Sequence, residues 1–375
     1  MPRKQRLASE AHAGETDFTP PYPPSWFDGF TDWVDRLPGP AWAFYLFLAA
    51  AMALAETVIQ WKEGAFPVGT FHPVHLWTVS NIAYLLGVMH YLDKSAASAI
   101  VSFRPLLIAA KSTRRPAVDD QSKFADLSYR LTTLPPRPAL IATIAGVAFA
   151  VVVFSLQPPG GAVPTPLMGT ARTVLSTASV LAVFIPMNGI AILFLYHAVH
   201  QLRQVSRIYT RHARINVYQL HPLYALSRPG AFTALGLIAY IYIWTALGAS
   251  LERSPAPVEN GLALVSVAIA GAAFVLPLQG AHRRLTAEKE ARLAEATSRF
   301  EAATIALHSQ LDRGRLLQMD HLNKALASLE IEQNALRKIP TWPWQPGAIR
   351  AVVAALLLPV AVWAIQTLLG RVLGA

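Results

Sequence analysis

Apolar residues in this chain fall into seven blocks separated by polar connections: 40–60 ("PAWAFYLFLAAAMALAETVIQ"), 74–92 ("VHLWTVSNIAYLLGVMHYL"), 139–156, 173–199, 231–250, 261–279 and 350–370. A hydrocarbon core of about 30 Å takes about 20 apolar residues to cross as a helix. The pattern therefore predicts an all-α polytopic membrane protein with seven transmembrane helices. A further apolar run, "SAASAIVSFRPLLIAA" at 95–110, is shorter and carries Arg104 and Pro105 near its middle. An arginine at mid-membrane costs roughly 2.5 to 3.5 kcal/mol, so this run is placed on the inner surface.

The polar connections give direction, because lysine and arginine accumulate on the cytoplasmic side. The connection 93–138 carries Lys94, Arg104, Lys111, Arg114, Arg115, Lys123, Arg130 and Arg137; the connection 200–230 carries Arg203, Arg207, Arg211, Arg214 and Arg228 without an acid. Both read as cytoplasmic loops of a six-helix transmembrane domain over 38–280. The alternate connections, "WKEGAFPVGTFHP", "QPPGGAVPTPLMGTA" and "LERSPAPVEN", are rich in proline and glycine and poor in basic residues. They read as external, which predicts a multi-pass plasma-membrane protein with its N-terminus cytoplasmic and its C-terminus outside. The segment 1–24 is basic, then polar and proline-rich, and is expected to be a disordered cytoplasmic tail.

Two stretches have a different periodicity. Over 281–339 the apolar positions Leu293, Ala296, Phe300, Ala303, Leu307 and Leu311, then Leu322, Leu326, Leu329 and Leu336, form heptad-like seams on otherwise charged helices, with "DRG" at 312–314 between them. This predicts a cytoplasmic antiparallel helical hairpin with coiled-coil-like packing. Over 25–37, Trp26, Phe27, Phe30, Trp33, Val34 and Leu37 share one helical face, and Asp28, Thr31, Asp32 and Asp35 the other. That predicts an interfacial amphipathic helix with its acidic face in water. Residues 340–349 contain three prolines with Trp342 and Trp344 and read as an elbow into the seventh span. Trp26, Trp33, Trp342 and Trp344 are the expected membrane-interface anchors.

Composition narrows the function classes. The chain is 53% hydrophobic and 14% charged and has no cysteine, which excludes disulfides, thiolate metal sites and cysteine nucleophiles. The net charge of +10 comes from basic residues beside apolar blocks, an arrangement that fits membrane orientation and not nucleic-acid binding. No dinucleotide fingerprint, phosphate-binding loop, HExxH, GxSxG or EF-hand pattern occurs. The expectation is a non-enzyme with neither cofactor nor metal, in contact with the lipid bilayer, forming a homo-oligomer and binding a cytoplasmic protein partner through 281–339.

The candidate intramembrane polar or hinge residues are Glu56, Asn81, Pro186, Asn188 and Gly189. Glu56 is the one acid well inside a predicted span, and intramembrane ionisable groups mark ion or proton pathways by default. Asn81 lies with Trp77 and Tyr84 on a polar, aromatic face, for which interhelical hydrogen bonding is the reading. "FIPMNGI" interrupts the fourth span with a proline. His90 and His197 fall at similar depth, which allows a bis-histidine haem to be drawn, although interfacial hydrogen bonding accounts for them as well. In the last span Ala355, Pro359, Val362, Gln366 and Gly370 share a small, weakly polar face, fit either for lining a water pathway or for close packing.

Seven spans, an inner N-terminus, long inner helices before the last span and a final membrane helix together resemble the insect chemoreceptor class of ligand-gated cation channels. The family's last-helix signature of Thr-Tyr followed by Gln-Phe is absent, and "VWAIQTLLG" shares only its glutamine. The resemblance implies a tetramer with 281–339 in a cytoplasmic anchor and the Gln366 face on the pore. The leading expectation is thus an oligomeric ion channel or pore. A non-conducting scaffold or sensor is the alternative, and a haem- or lipid-binding membrane enzyme the third reading.

Overall fold

A computed structural model describes residues 18–64, 67–71, 73–107, 116–155, 174–214, 216–218, 220–249, 268–313, 319–345 and 347–357. Among these residues the chain is helical, with a single isolated β-bridge between Leu107 and Ala213. The helices are α1 (Trp26–Val34), α2 (Ala41–Lys62), α3 (Pro73–Phe103), α4 (Pro116–Thr132), α5 (Pro136–Ser155), α6 (Val174–Arg207), α7 (Leu220–Ala225), α8 (Ser227–Ala249), α9 (268–275), α10 (Gln279–Asp312), α11 (Met319–Lys338) and α12 (Gly347–Leu357). α3, α4 and α5 each begin at a proline, where its fixed φ suits the first turn and its missing N–H is not needed.

Among the described residues, four helical stretches are long and apolar enough to cross a membrane: Ala41–Lys62, Asp120–Ser155, Leu181–His212 and Leu220–Ile243. Their outward faces carry exposed Trp42, Leu46, Phe47 and Leu54 on α2, Leu140, Ile141, Ile144, Phe149 and Val152 on α5, and Leu195 and Val199 on α6. So much contiguous apolar surface is compatible with a multi-pass integral membrane protein. α3 is not one of the four. It lies at the centre, packed by α2, α6 and α8, and enclosure by protein permits the polar groups that a lipid-facing helix excludes. Of the predicted sixth and seventh spans, only 268–279 and 350–357 lie inside the described residues.

Register follows from a few contacts. Tyr45 of α2 meets Gly87 and His90 of α3, while Met52 and Ala53 pack at Val79, so α2 runs opposite to α3. Tyr84 and Val88 meet Gly236 and Tyr91 meets Phe232, so α8 also opposes α3. Val79 packs with Val183 and Asp93 meets His197, so α6 runs parallel to it. α5 and α6 touch backbone to backbone: a Cβ placed on Gly146 would lie 2.3 Å from the Asn188 carbonyl oxygen and 2.8 Å from Gly189 Cα.

Two hydrophobic cores stack along α3. The first joins Leu85, Leu86 and Met89 to Ile190, Leu193 and Phe194 of α6 and Ala234 of α8. The second lies beyond Asp93 and corrects the sequence reading of 95–110. That segment continues α3 as helix through Phe103, with Ala96, Ala99, Ile100 and Phe103 buried against Tyr209, Leu223, Leu226 and Leu285. Its apolar spacing of i, i+3, i+4, i+7 is a protein-facing stripe and not a surface-lying one. Arg104 stays exposed, its guanidinium 5.0 Å from the Phe124 ring centre. The connections read as loops, 93–138 and 200–230, contain α4, a π-helical turn at Ile208–His212 and α7, so much of them is folded.

The charged segment after 279 is joined to α9 through a tight 3-10 turn at Leu276–Leu278, where Pro277 sits. Gly280 then lets α10 pass the π-turn closely, since a Cβ there would be 2.4 Å from Thr210 Cγ2. Arg284 secures the crossing by donating to the carbonyls of Tyr209 and Thr210 at 2.7 and 3.2 Å. α10 and α11 pack against each other. Lys289, early in α10, donates to the carbonyls of Arg337 in the last turn of α11 and of Ile339 just beyond it, which makes the pair antiparallel. Leu336 is fully buried at its base, whereas Leu311 near the far end is exposed.

The amphipathic helix is corrected as well. α1 turns its acidic face inward: Asp28, Thr31 and Asp32 are buried with Phe27 and Val34, while Trp26 and Trp33 are exposed. The reason lies in its partners. Asp28 Oδ2 accepts from Ser25 N, Ser25 Oγ and, across the chain, Leu134 N at 3.0 Å. It thereby closes a capping box and supplies an acceptor to the α4–α5 break, where Pro135 and Pro136 prevent an ordinary helical continuation.

Candidate functional site

Buried polar side chains gather at two levels of the bundle, one at the Asp93 end of α3 and one at its Glu56 end. At the first level, Asp93 (3% exposed) and His197 (1% exposed) face each other across α3 and α6. His197 Nε2 lies 3.0 Å from Asp93 Oδ1, and Gln201 Nε2 donates to the same oxygen at 3.4 Å. His197 Nδ1 and Gln201 Oε1 have no hydrogen-bond partner. A neutral ring with its proton on Nε2 suits this geometry, because it leaves an acceptor bare and not a donor. The edge of Phe27 from α1 closes over the ring, with centroids 5.8 Å apart.

One turn earlier on α3, His90 Nδ1 lies 2.9 Å from the Tyr45 hydroxyl and Nε2 lies 3.3 Å from Asp35 Oδ1. Lys94 Nζ donates to that same Asp35 oxygen at 2.7 Å. The consistent assignment has Tyr45 donating to Nδ1 and Nε2–H donating to Asp35. Burial pushes the Asp35 carboxyl up, but hydrogen bonds from Lys94 and His90 and the Lys94 charge outweigh it and hold the group below the usual carboxylate range. His200 adds a further link, its Nε2 3.1 Å from the Arg130 carbonyl. Side chains from α2, α3 and α6, with Asp35 at the end of α1 and the Arg130 carbonyl of α4, thus form three neighbouring hydrogen-bonded groups. Of these residues, the sequence reading singled out His90 and His197, placed Asp35 only on a water-facing side, and passed over Asp93, Tyr45 and Gln201. Asp93 falls one residue past the predicted second span, and its spacing of 3 from His90 is the signal that could have found it.

The haem geometry drawn between His90 and His197 fails on these contacts. Both nitrogens of His90 and Nε2 of His197 are engaged by protein groups. Among the described residues no group of three or more histidine or acidic side chains is arranged to hold a metal ion.

At the second level, Glu56 (4% exposed), Thr57 (2%) and Gln60 (0%) of α2 are buried, as are Thr78 and Asn81 in the first half of α3. Gln60 Nε2 donates to Glu56 Oε1 at 3.2 Å. Thr57 is satisfied by the Ala53 carbonyl. Asn81 is fully buried, yet neither its Nδ2 nor its Oδ1 has a partner, and Gln60 Oε1 and Trp77 Nε1 are also bare. Each such group costs about 1 to 3 kcal/mol when left dry, and concentrated orphans of this kind mark a place for water or an ion. From Asn81 to Asp93, α3 rises about 18 Å. The intervening interior is the apolar layer of Ile82, Leu85, Leu86 and Met89.

The remaining sequence candidates have structural settings. Pro186 sits inside a continuous α6, and Asn188 Nδ2 returns to the Phe184 carbonyl at 2.8 Å. Gly189 meets Thr143 and Val147 of α5, so the motif serves close helix packing. Trp26 Nε1 donates to Thr143 Oγ1 at 3.2 Å, and Trp33 packs edge-on against Phe44. Trp342 and Trp344 join His282 and Phe274 in a four-ring stack with successive centroids 4.0, 4.5 and 5.1 Å apart, which ties the elbow to α9 and α10. Ala355 is half-buried on α12 beside the first core. Pro359, Val362, Gln366 and Gly370 lie outside the described residues.

Comparison with family models, with curated proteins and with solved structures finds no match for this chain.

Proposed function

We propose that this integral membrane protein translocates ions, protons above all, along the interior between α2, α3 and α6. The observation that carries the reading is the pair of polar levels, each holding a buried carboxylate, Glu56 and Asp93, separated by an apolar layer. Carboxylates and imidazoles inside a membrane domain are costly and belong to proton relays and ion pathways. A dry apolar constriction between wet ends is how such pathways close. The unpartnered Asn81 amide is the group that water or a passing cation satisfies at the Glu56 level.

The basic connections 93–138 and 200–230 support a topology of seven crossings, with the N-terminus and the 281–339 pair in the cytoplasm and residue 375 outside. In that orientation the Asp93 level opens inward and the Glu56 level outward. Association into an oligomer through the last helix, with its Ala355 to Gly370 face at subunit contacts, is part of the same reading.

The test is proton flux into liposomes containing the purified full chain and a pH-sensitive dye, driven by a potassium diffusion potential. Flux should exceed that of empty liposomes, and Glu56→Gln should lower it at least tenfold. Asn81→Leu should do the same while leaving the protein equally or more resistant to unfolding, because it removes two orphaned polar atoms. Flux equal to that of empty liposomes under every gradient overturns the proposal. A reporter fused at Ala375 that proves cytosolic overturns the topology.

A further inference from the structure

A groove of about 960 Å³ runs between α2, α3 and α8, open along one side and lined almost wholly by apolar side chains, among them Trp42, Leu46, Ala49, Ala83, Val88 and Leu235. It follows α3 from Trp77 to Lys94, a rise of about 26 Å. At the Lys94 end it meets a second cavity of about 540 Å³, and Tyr91, Lys94, Phe232 and Leu235 border both. The second cavity is different in kind, adding Ser95, Ser98, Arg228 and Gln345 to Lys94. Lys94 spends one N–H on Asp35 and remains 45% exposed. Arg228 spends its Nε on Gln345 at 3.2 Å, which leaves the terminal guanidinium nitrogens to the cavity. With Asp35 offsetting Lys94, Arg228 makes the second cavity net positive; Tyr91 borders both cavities, and His90, Tyr45 and Tyr84 border the groove.

We infer that this groove is a binding site for an anionic phospholipid. One acyl chain lies along α3, and the phosphate sits between Arg228 and Lys94. Three features combine to select that ligand. The long apolar trough exceeds one leaflet's share of the hydrocarbon core. Cationic donors stand only at one end, and basic pockets between membrane helices at that depth are the known setting for acidic headgroups. Arginine also offers a planar fork that matches phosphate oxygens. The aromatic pair Tyr91–Phe232, with ring centres 5.1 Å apart, marks the step from chain to headgroup. The groove shares Tyr45, His90, Lys94 and Trp77 with the polar levels described above, but neither Glu56 nor Asp93 lines it and its test does not depend on conduction.

Native mass spectrometry of the full detergent-extracted chain tests it, with phosphatidylglycerol and phosphatidylcholine of identical chains as probes. The wild type should retain phosphatidylglycerol preferentially. Arg228→Gln should cut that preference roughly fivefold, the contribution of one cation near an acidic headgroup, and Arg228→Lys should keep most of it. Ala49→Phe, which fills the trough from a half-exposed position, should weaken retention of both lipids. Inorganic phosphate at millimolar concentration should not displace the lipid, because it lacks the chain. Equal retention of the two lipids by the wild type overturns the inference, as does unchanged preference in a folded Arg228→Gln/Lys94→Gln double variant. Full displacement by inorganic phosphate would also overturn it, by assigning the pocket to a free anion.

Discussion

Replacing Asp93 separates a relay from a structural clasp. Its Oδ1 accepts from His197 and Gln201, and all three side chains are at least 97% buried by exposures of 3%, 1% and 1%. Asp93→Ala leaves both donors in a dry interior. At about 1 to 3 kcal/mol for each orphaned group, the loss comes to roughly 2 to 6 kcal/mol, in line with the 3 to 5 kcal/mol typical of a broken buried pair. Against a total stability of about 5 to 15 kcal/mol, that variant is marginal. Asp93→Asn keeps a carbonyl oxygen where Oδ1 stood. It exchanges two charge-assisted hydrogen bonds for neutral ones, at a cost of roughly 1 to 2 kcal/mol, and should fold. It cannot take up and release a proton near neutral pH. Denaturant titration in bicelles and dye-reported flux in liposomes, normalised to folded protein, read the two effects on the same preparations. The expected result is a folded Asn variant with flux reduced at least tenfold. An Asn variant that transports like the wild type would refute the relay and leave Asp93 a helix clasp. An Ala variant losing under about 1 kcal/mol would refute the energetic argument itself.

Two other expectations follow. At the α5–α6 crossing, Gly146→Val must push Asn188 away from its 2.3 Å approach. An overpacking cost of about 1 to 3 kcal/mol should appear as a lower unfolding midpoint, with Gly271→Ala, whose Cβ would meet nothing within 4 Å, as the silent control. For Asp35 the folded-state carboxyl is depressed, so its contribution to α1 docking is complete above the ordinary value of about 3.9 and disappears as pH falls through the lower folded value. Hydrogen exchange over 26–34 should therefore stay slow down to about pH 4, and Lys94→Gln should bring its acceleration to higher pH by removing the partner that depresses the carboxyl.

Part of the helical order was legible because apolar runs such as Ala41–Lys62 and 139–155 are long enough to call for lipid. The helix starts at Pro73, Pro116 and Pro136 and the Ser25 cap are local signals too, but the reading of 93–138 as a loop passed over the helix at Pro116. The apolar seams over 281–339 pointed to two helices there, and α10 and α11 pack on each other. The candidate site was only half legible. Glu56, Asn81, His90 and His197 stood out as polar groups in apolar blocks, but Asp35 and Asp93 lie just beyond the blocks and resemble ordinary interfacial charge. Nothing local distinguishes a carboxylate facing water from one facing a histidine on another helix.

By itself, then, the sequence determined what depends on neighbours in the chain: helix starts and stops, apolar length, and the commitment to a bilayer. Tertiary structure alone decided which faces of those helices are hidden. Hydropathy records how greasy a stripe is without recording whether protein or lipid covers it. For that reason Ala96–Phe103 proved to be core and not surface, the acidic side of α1 turned inward to Leu134, Lys94 and His90, and Asp93 found His197 across 104 residues.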